Sequence, residues 1–292
     1  CWGTGSHGQL GDRGAARSPG PVPGIEVASA IAAGEGHTCA LGRGVWCWGA
    51  GFGKKPVEIA GIPGAAELTA GEAHTCARTP DGAARCWGDN ATGQLGDGTT
   101  EDRKSATGVA GLADAVSLAA GGDHTCAALR SGSVVCWGSN DGGALGNGEA
   151  GGEREGVAVS VRNLTGVSEI ASGEAFTCAL SEGSVLCWGA GTAGQLGDGK
   201  SVDRPRAEAI DDLDDAAQLV AGRNHACVRR RSGAVACWGN NSHGQLGAGG
   251  KRSSPRPSAV AGVADAVMIG AGQDHTCAAR KTGQVVCWGR GA

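Results

Sequence analysis

Short apolar stretches and single polar turns alternate along this chain at a scale too fine for helices. The stretches 37–41 and 45–48 flank Gly42-Arg43-Gly44, and this pattern predicts a β-hairpin. The same two-stretch phrase recurs around Pro80-Asp81-Gly82, Ser131-Gly132, Glu182-Gly183, Ser232-Gly233 and Thr282-Gly283. Glycine in such turns supplies the positive φ that tight hairpins require. Ahead of each hairpin runs a stretch of small residues ending in glycine, such as Ala30-Ile31-Ala32-Ala33-Gly34. Crowding places it innermost, where strands converge and large side chains do not fit.

The hairpins belong to a long-range repeat. Cys-Trp-Gly occurs with its cysteine at positions 1, 47, 86, 136, 187, 237 and 287, in steps of 46, 39, 50, 51, 50 and 50 residues. Each period carries the triplet, a variable Pro- and charge-containing stretch, the small-residue run, and then Gly-x-x-His-Thr-Cys-Ala. A Gly-Gln-Leu-Gly phrase usually follows the triplet, as at residues 93–96, 194–197 and 244–247. Four short strands in about 50 residues is the signature of a propeller blade. The six periods fill residues 1–292, so the chain reads as one all-β propeller domain.

Composition narrows the function classes. The chain has 292 residues, 56 Gly, 13 Cys, 8 Trp, 2 Phe, 1 Met and no Tyr, with a formal net charge of -4. A nucleic-acid binder usually carries a strong basic excess, and this chain has none. With few aromatics outside the repeat phrase, stacking on bases or sugars is disfavoured as well. No run of 18 apolar residues is present, so no transmembrane helix is expected. No Gly-Lys-Ser/Thr follows the Gly-Gln-Leu-Gly phrase, which therefore reads as a tight turn and not a phosphate loop. The acidic stretch Asp211-Asp212-Leu213-Asp214-Asp215 lacks the calcium-loop pattern and reads as a solvated connection.

The cysteines carry the strongest chemistry. Each hairpin holds one in the His-Thr-Cys phrase and one in Cys-Trp-Gly: Cys39 and Cys47, Cys76 and Cys86, Cys126 and Cys136, Cys178 and Cys187, Cys227 and Cys237, Cys277 and Cys287. The spacing within a pair follows the turn length, as it must for opposed positions on antiparallel strands. Opposed residues lie within disulfide range, so six cross-links and an oxidising compartment are expected. A competing reading takes His37, Cys39 and Cys47 as three zinc ligands, with the set recurring at His74, His124, His225 and His275. The cysteine spacing does not match common zinc knuckles, and so many separate sites in one domain would be unusual. The histidines are instead expected to satisfy backbone groups near the blade core, and the tryptophans to pack between blades. Cys1 lies outside these six pairs: its natural counterpart is a cysteine on an upstream strand, and N-terminal lipidation is the alternative.

The phrases GQLGDG, IAAGEGHTCAL and VWCWG resemble the regulator-of-chromosome-condensation repeat, in a Cys-rich form similar to that of many bacterial proteins. The resemblance covers essentially the whole chain and implies a β-propeller. That family usually has seven blades. A chain that opens in mid-repeat is then either a seven-bladed ring cut within its first blade or a six-bladed ring in which residues 19–25 supply the outer strand missing after Cys287. The family includes an exchange factor for a small nuclear GTPase and a secreted inhibitor of β-lactamase, both acting through loops on one face. Those loops are the variable parts, so neither activity carries over by residue.

Three departures from the repeat stand out. The period from Cys47 to Cys86 lacks Gly-Gln-Leu-Gly, Ala144 replaces its glutamine after Cys136, and Phe176 replaces the repeat histidine. No non-repeating cluster of nucleophile, base and stabiliser is evident, so no catalytic, cofactor or metal residues are expected. Recognition is expected in the variable segments, which share a basic cluster: Arg13 and Arg17; Lys54 and Lys55; Arg103 and Lys104; Arg154; Lys200, Arg204 and Arg206; Lys251, Arg252 and Arg256. Repeat symmetry sets these on one rim, suited to an acidic protein partner or an anionic cell surface. The resulting expectation is an extracytoplasmic, non-catalytic scaffold that is secreted, periplasmic or on the cell surface. A GTPase exchange factor and a purely structural surface module are the alternatives.

Overall fold

A computed structural model describes the chain except for residues 2, 4, 12–17, 19, 150, 152–153 and 292. Its described strands form six antiparallel sheets, each a consecutive run of the chain. Blade 1 holds β1 (Ala30–Ala33), β2 (His37–Leu41), β3 (Val45–Gly49) and β4 (Gly53–Glu58). Blade 2 holds β5 (Glu67–Ala70), β6 (His74–Arg78), β7 (Ala84–Gly88) and β8 (Arg103–Gly108). Blade 3 holds β9 (Ala115–Ala120), β10 (His124–Leu129), β11 (Val134–Gly138) and β12 (Glu155–Ser160). Blade 4 holds β13 (Val167–Ser172), β14 (Phe176–Ser181), β15 (Ser184–Gly189) and β16 (Arg204–Ala209). Blade 5 holds β17 (Ala216–Ala221), β18 (His225–Arg230), β19 (Val235–Gly239) and β20 (Ser254–Ala259). Blade 6 holds β21 (Ala266–Ala271), β22 (His275–Arg280) and β23 (Val285–Gly289).

The first strand of each blade lies innermost, as its small residues require: β1, β5, β9, β13, β17 and β21 touch in succession. Just past each inner strand the main chain links to the next blade. The N–H groups of Glu35, Glu72, Gly122, Glu174 and Arg223 donate in turn to the carbonyls of Glu72, Gly122, Glu174, Arg223 and Gln273. A spiral of main-chain hydrogen bonds therefore climbs from blade to blade around the axis.

The architecture is a six-bladed propeller. The outer-strand role expected of residues 19–25 does not hold: residue 19 lies outside the described residues, and residues 20–25 carry no strand. Val22 and Ile25 pack on blade 1 instead, beside Ala40 and Trp48. Pro21 and Pro23 also lack the N–H that a ladder needs. Among the described residues no helix is long and apolar enough to cross a membrane.

All six expected disulfides form, between Cys39 and Cys47, Cys76 and Cys86, Cys126 and Cys136, Cys178 and Cys187, Cys227 and Cys237, and Cys277 and Cys287. Each joins residues directly opposite in the hairpin register, with Cα atoms 4.1 Å apart. Closing loops this short contributes roughly 2–3 kcal/mol apiece in the chain-entropy account. The paired sulfurs are not available as thiolates, so the zinc set around His37 does not exist. Bonds of this kind form and persist in oxidising compartments.

Candidate functional site

Strand direction sorts the connections onto two faces. The hairpin turns and the links between blades lie on one face. On the other lie the turns after the inner strands and the long segments between third and fourth strands, and we refer to this as the loop face.

What holds the loop face is a set of bonds between blades. The Nε2 atoms of His37, His74, His124 and His225 lie 2.7, 2.9, 2.8 and 2.9 Å from the hydroxyls of Thr75, Thr125, Thr177 and Thr276, each on the next blade. The histidines therefore bond side chains across blades and not the backbone groups expected of them. Thr125 and Thr276 donate in turn to the carbonyls of Gln94 and Gln245. With that proton committed, their oxygens accept from the imidazole, which fixes the proton on Nε2 and leaves Nδ1 bare. Nδ1 of His74 and of His225 is buried without a hydrogen-bond partner, as this tautomer predicts. Burial pushes the four histidines down, His37, His124 and His225 to about 4 and His74 to about 3. At Gly121 an added Cβ would sit 2.2 Å from the His124 ring and 2.6 Å from the Gly173 carbonyl, so only glycine fits.

The tryptophans complete the lock. Indole Nε1 atoms of Trp48, Trp137, Trp188, Trp238 and Trp288 donate to the carbonyls of Gln9, Gln94, Ala144, Gln195 and Gln245, at 2.8–2.9 Å. Because a main-chain carbonyl is the acceptor, Ala144 does this as well as glutamine. Each Gly-Gln-Leu-Gly turn is thus a plug in the neighbouring blade. Its leucine is buried, as with Leu95, Leu145, Leu196 and Leu246. The sequence reading missed Asn90, Asn140 and Asn241, which hold these turns by accepting the N–H of Leu95, Leu145 and Leu246. Their recurrence four residues after a triplet cysteine was the available signal.

At the axis the loop face is acidic. Glu35, Glu72, Asp123 and Glu174 come from four successive blades. The hydrogen bond that protonated Glu72 donates to the Glu35 carboxylate, burial, and the charges of Glu35 and Asp123 push Glu72 up to about 7. Burial raises Asp123, reinforced by Asp89, Asp141 and Glu174. Arg223 answers this charge, bonding Glu174 at 2.6 Å, while Asn224 donates to the other carboxylate oxygen of Glu174 at 3.0 Å. The sequence reading did not single out this cluster, because each blade contributes its acid separately.

The expected basic residues lie in the fourth strands or in the segments just before them, at the outer edge of the same face, except Arg13 and Arg17, which lie outside the described residues. Arg103 and Arg204 are not free charges: they pair with Asp97 at 2.8 Å and Asp198 at 2.9 Å and close their own loops. Arg154 donates to the Ala91 carbonyl of the preceding blade. Lys54, Lys55, Lys104, Lys200, Arg206, Lys251, Arg252 and Arg256 are exposed. The face is therefore acidic at its centre, and its perimeter carries exposed lysines and arginines interspersed with the exposed acids Glu101, Asp102, Glu149 and Asp203. Among the described residues no group of three or more His, Cys, Asp or Glu is placed to hold a metal ion.

The RCC1-like domain family matches residues 1–292. No curated protein sequence matches the chain. Among solved structures, it is similar to yeast RCC1 (Prp20) bound to Kap60, with a TM-score of 0.87 at 22% identity over 100% of this chain and 78% of that one. Human WBSCR16 gives 0.87 at 22% identity over 96% of this chain and 81% of that one. The CRINKLY WD40 ectodomain of the Arabidopsis thaliana receptor kinase ACR4 gives 0.56 at 22% identity over 93% and 84%.

Proposed function

The chain belongs to the RCC1-like domain family, and from that premise we propose that it is a non-catalytic, extracytoplasmic scaffold that binds a protein partner through its loop face. The observation that carries the reading is the charge pattern of that face, an acidic mouth with exposed lysines and arginines around it, mounted on a propeller whose six sheets each carry a disulfide. Such a pattern sets register and suppresses wrong partners more than it adds raw affinity. Partner binding is in keeping with the structural neighbours: yeast RCC1 is seen bound to Kap60, and Saccharomyces cerevisiae Prp20p is described as binding Gsp1p and histones. The disulfides and the ACR4 ectodomain favour a secreted, periplasmic or cell-surface setting over the reducing interior in which a GTPase exchange factor would work.

The test is site-specific photocrosslinking in the native host. A photoreactive residue is placed at Lys104 or Lys251 on the loop face, and at Lys281 on the hairpin face. A discrete adduct from the loop-face positions, lost when Lys54 and Lys55 are changed to Glu, is expected. Adducts from Lys281 alone, or none at any position, overturn the reading. Nucleotide release from a small GTPase on addition of the purified protein would replace it with exchange.

A further inference from the structure

Among the described residues, one of the six inter-blade tryptophan sockets is not filled by a turn. Trp87 is fully buried, and its indole Nε1 has no hydrogen-bond partner. Its counterparts Trp48, Trp137, Trp188, Trp238 and Trp288 all donate to the carbonyl of a turn from the preceding segment. The cause is in the sequence. Between Cys47 and Cys86 the Gly-Gln-Leu-Gly phrase is missing, and only residues 50–52 join β3 to β4.

This turnless socket keeps the features that a turn engages. In four of the five filled sockets, those whose blade has an outer strand, the first glycine of the turn backs onto the second residue of that strand: Gly8 onto Lys54, Gly93 onto Gly156, Gly143 onto Pro205 and Gly194 onto Pro255. The equivalent residue here is Lys104, and it is exposed. The leucine position is occupied by a substitute. Leu95 is buried with Trp137, Val109 and Leu112, and in the matching cluster Phe52 packs with Trp87, Ile59 and Ile62. Phe52 is only half-buried where the leucines are fully buried, and its ring centroid lies 5.9 Å from that of His37. It fills the apolar part of the socket and, having no carbonyl in reach, leaves the indole donor unanswered. An unanswered buried donor carries a desolvation penalty that an incoming acceptor would recover.

We propose that the socket between blades 1 and 2 is a docking site for a glycine-bracketed turn of another polypeptide, of the Gly-Gln-Leu-Gly kind. One main-chain carbonyl of the turn accepts from Trp87 Nε1, its leucine displaces Phe52, and its first glycine lies on Lys104. The occupant is argued from the molecule itself, since turns of this kind fill every equivalent socket. The inference deepens the loop-face reading by naming partner chemistry. Its test uses a purified peptide, so failure of the crosslinking experiment leaves it standing.

The probe is a capped peptide of residues 92–98, Thr-Gly-Gln-Leu-Gly-Asp-Gly, titrated into ¹⁵N-labelled protein while the indole N–H resonances are followed. The Trp87 signal, assigned by its loss in Trp87→Phe, is expected to shift saturably while those of Trp137, Trp188 and Trp238 stay still. The same peptide with alanine for leucine binds more weakly. Phe52→Ala, which clears the leucine position, strengthens binding by on the order of tenfold. Phe52→Leu serves if the alanine variant does not fold, with a smaller gain expected. No Trp87 shift at millimolar peptide, equal shifts at the filled sockets, indifference to the leucine, or binding by the Phe52 variants alone would each overturn the proposal.

Discussion

Phe176 and Ala226 stand, on adjacent blades, where other blades place a histidine and the threonine that bonds it. Both are fully buried in one apolar cluster. The histidine has become a ring with no polar atom, and its partner has lost the hydroxyl. The exchange is paired, so neither side is left with an unanswered polar group. An apparently isolated departure in the sequence is thus half of a compensated change.

This pairing predicts strong coupling. Phe176→His alone buries an imidazole nitrogen against the Ala226 methyl and should cost about 1–3 kcal/mol. Adding Ala226→Thr restores the partner and should recover most of that loss. A double-mutant cycle from denaturant midpoints reads the coupling directly, and additive effects would refute the pairing.

Acid should destabilise the fold well above the usual carboxylate range. His37, His74, His124 and His225 titrate near 6.5 when unfolded and are held at about 4, or about 3 for His74, in the folded chain. Between those values the unfolded state binds more protons, so stability present above pH 6.5 is lost as pH falls. The slope is roughly 1.4 kcal/mol per pH unit for each histidine so affected. Glu72 acts oppositely: its raised value favours the folded state at low pH, an advantage lost as pH rises through about 7. Asp123 and Glu169, which burial also raises, act in the same sense as Glu72, but these acids are less deeply buried than the four histidines. The urea midpoint should therefore be lower at pH 5.0 than at pH 7.5, with disulfides intact, and an equal or higher midpoint at pH 5.0 counts against the buried-histidine account.

The disulfides should not reduce together. In blades 1–5 the paired cysteines are at most 1% exposed, whereas Cys277 is half-buried and Cys287 exposed. A reductant reaches sulfur only where the fold admits it. Limiting phosphine followed by alkylation and peptide mapping should label Cys277 and Cys287 first, with the other pairs reacting only under denaturing conditions. Simultaneous labelling of all pairs would mean that the native ring opens more readily than its burial implies.

Much of this was legible in the chain, and what was not has a common cause. The hairpins, the inner strands and the six disulfides are local in sequence, written as alternation, glycine and cysteine spacing. The bonds between blades are not local. His124 and Thr177 sit 53 residues apart, so the repeat shows both residues without showing that one serves the other. The acidic mouth escaped notice for the same reason, since Glu35, Glu72, Asp123 and Glu174 never form a run. Arg103 and Arg204 misled in the other direction. They look like free rim charges, yet each closes on an aspartate six residues earlier.

The missing turn of blade 1 gives the sharpest comparison. Trp137→Phe and Trp87→Phe remove the same atoms from fully buried sites, so the transfer and cavity costs are alike. They differ in the hydrogen bond. At Trp137 the substitution breaks a 2.9 Å bond and leaves the Gln94 carbonyl to Thr125 alone. At Trp87 it deletes an N–H that has no acceptor. Trp137→Phe should therefore cost more than Trp87→Phe by roughly 1–3 kcal/mol, read from denaturant midpoints at matched slopes. Equal losses would mean that the Trp87 indole is answered in solution, and with its donor satisfied the socket would offer an incoming turn only the place held by Phe52.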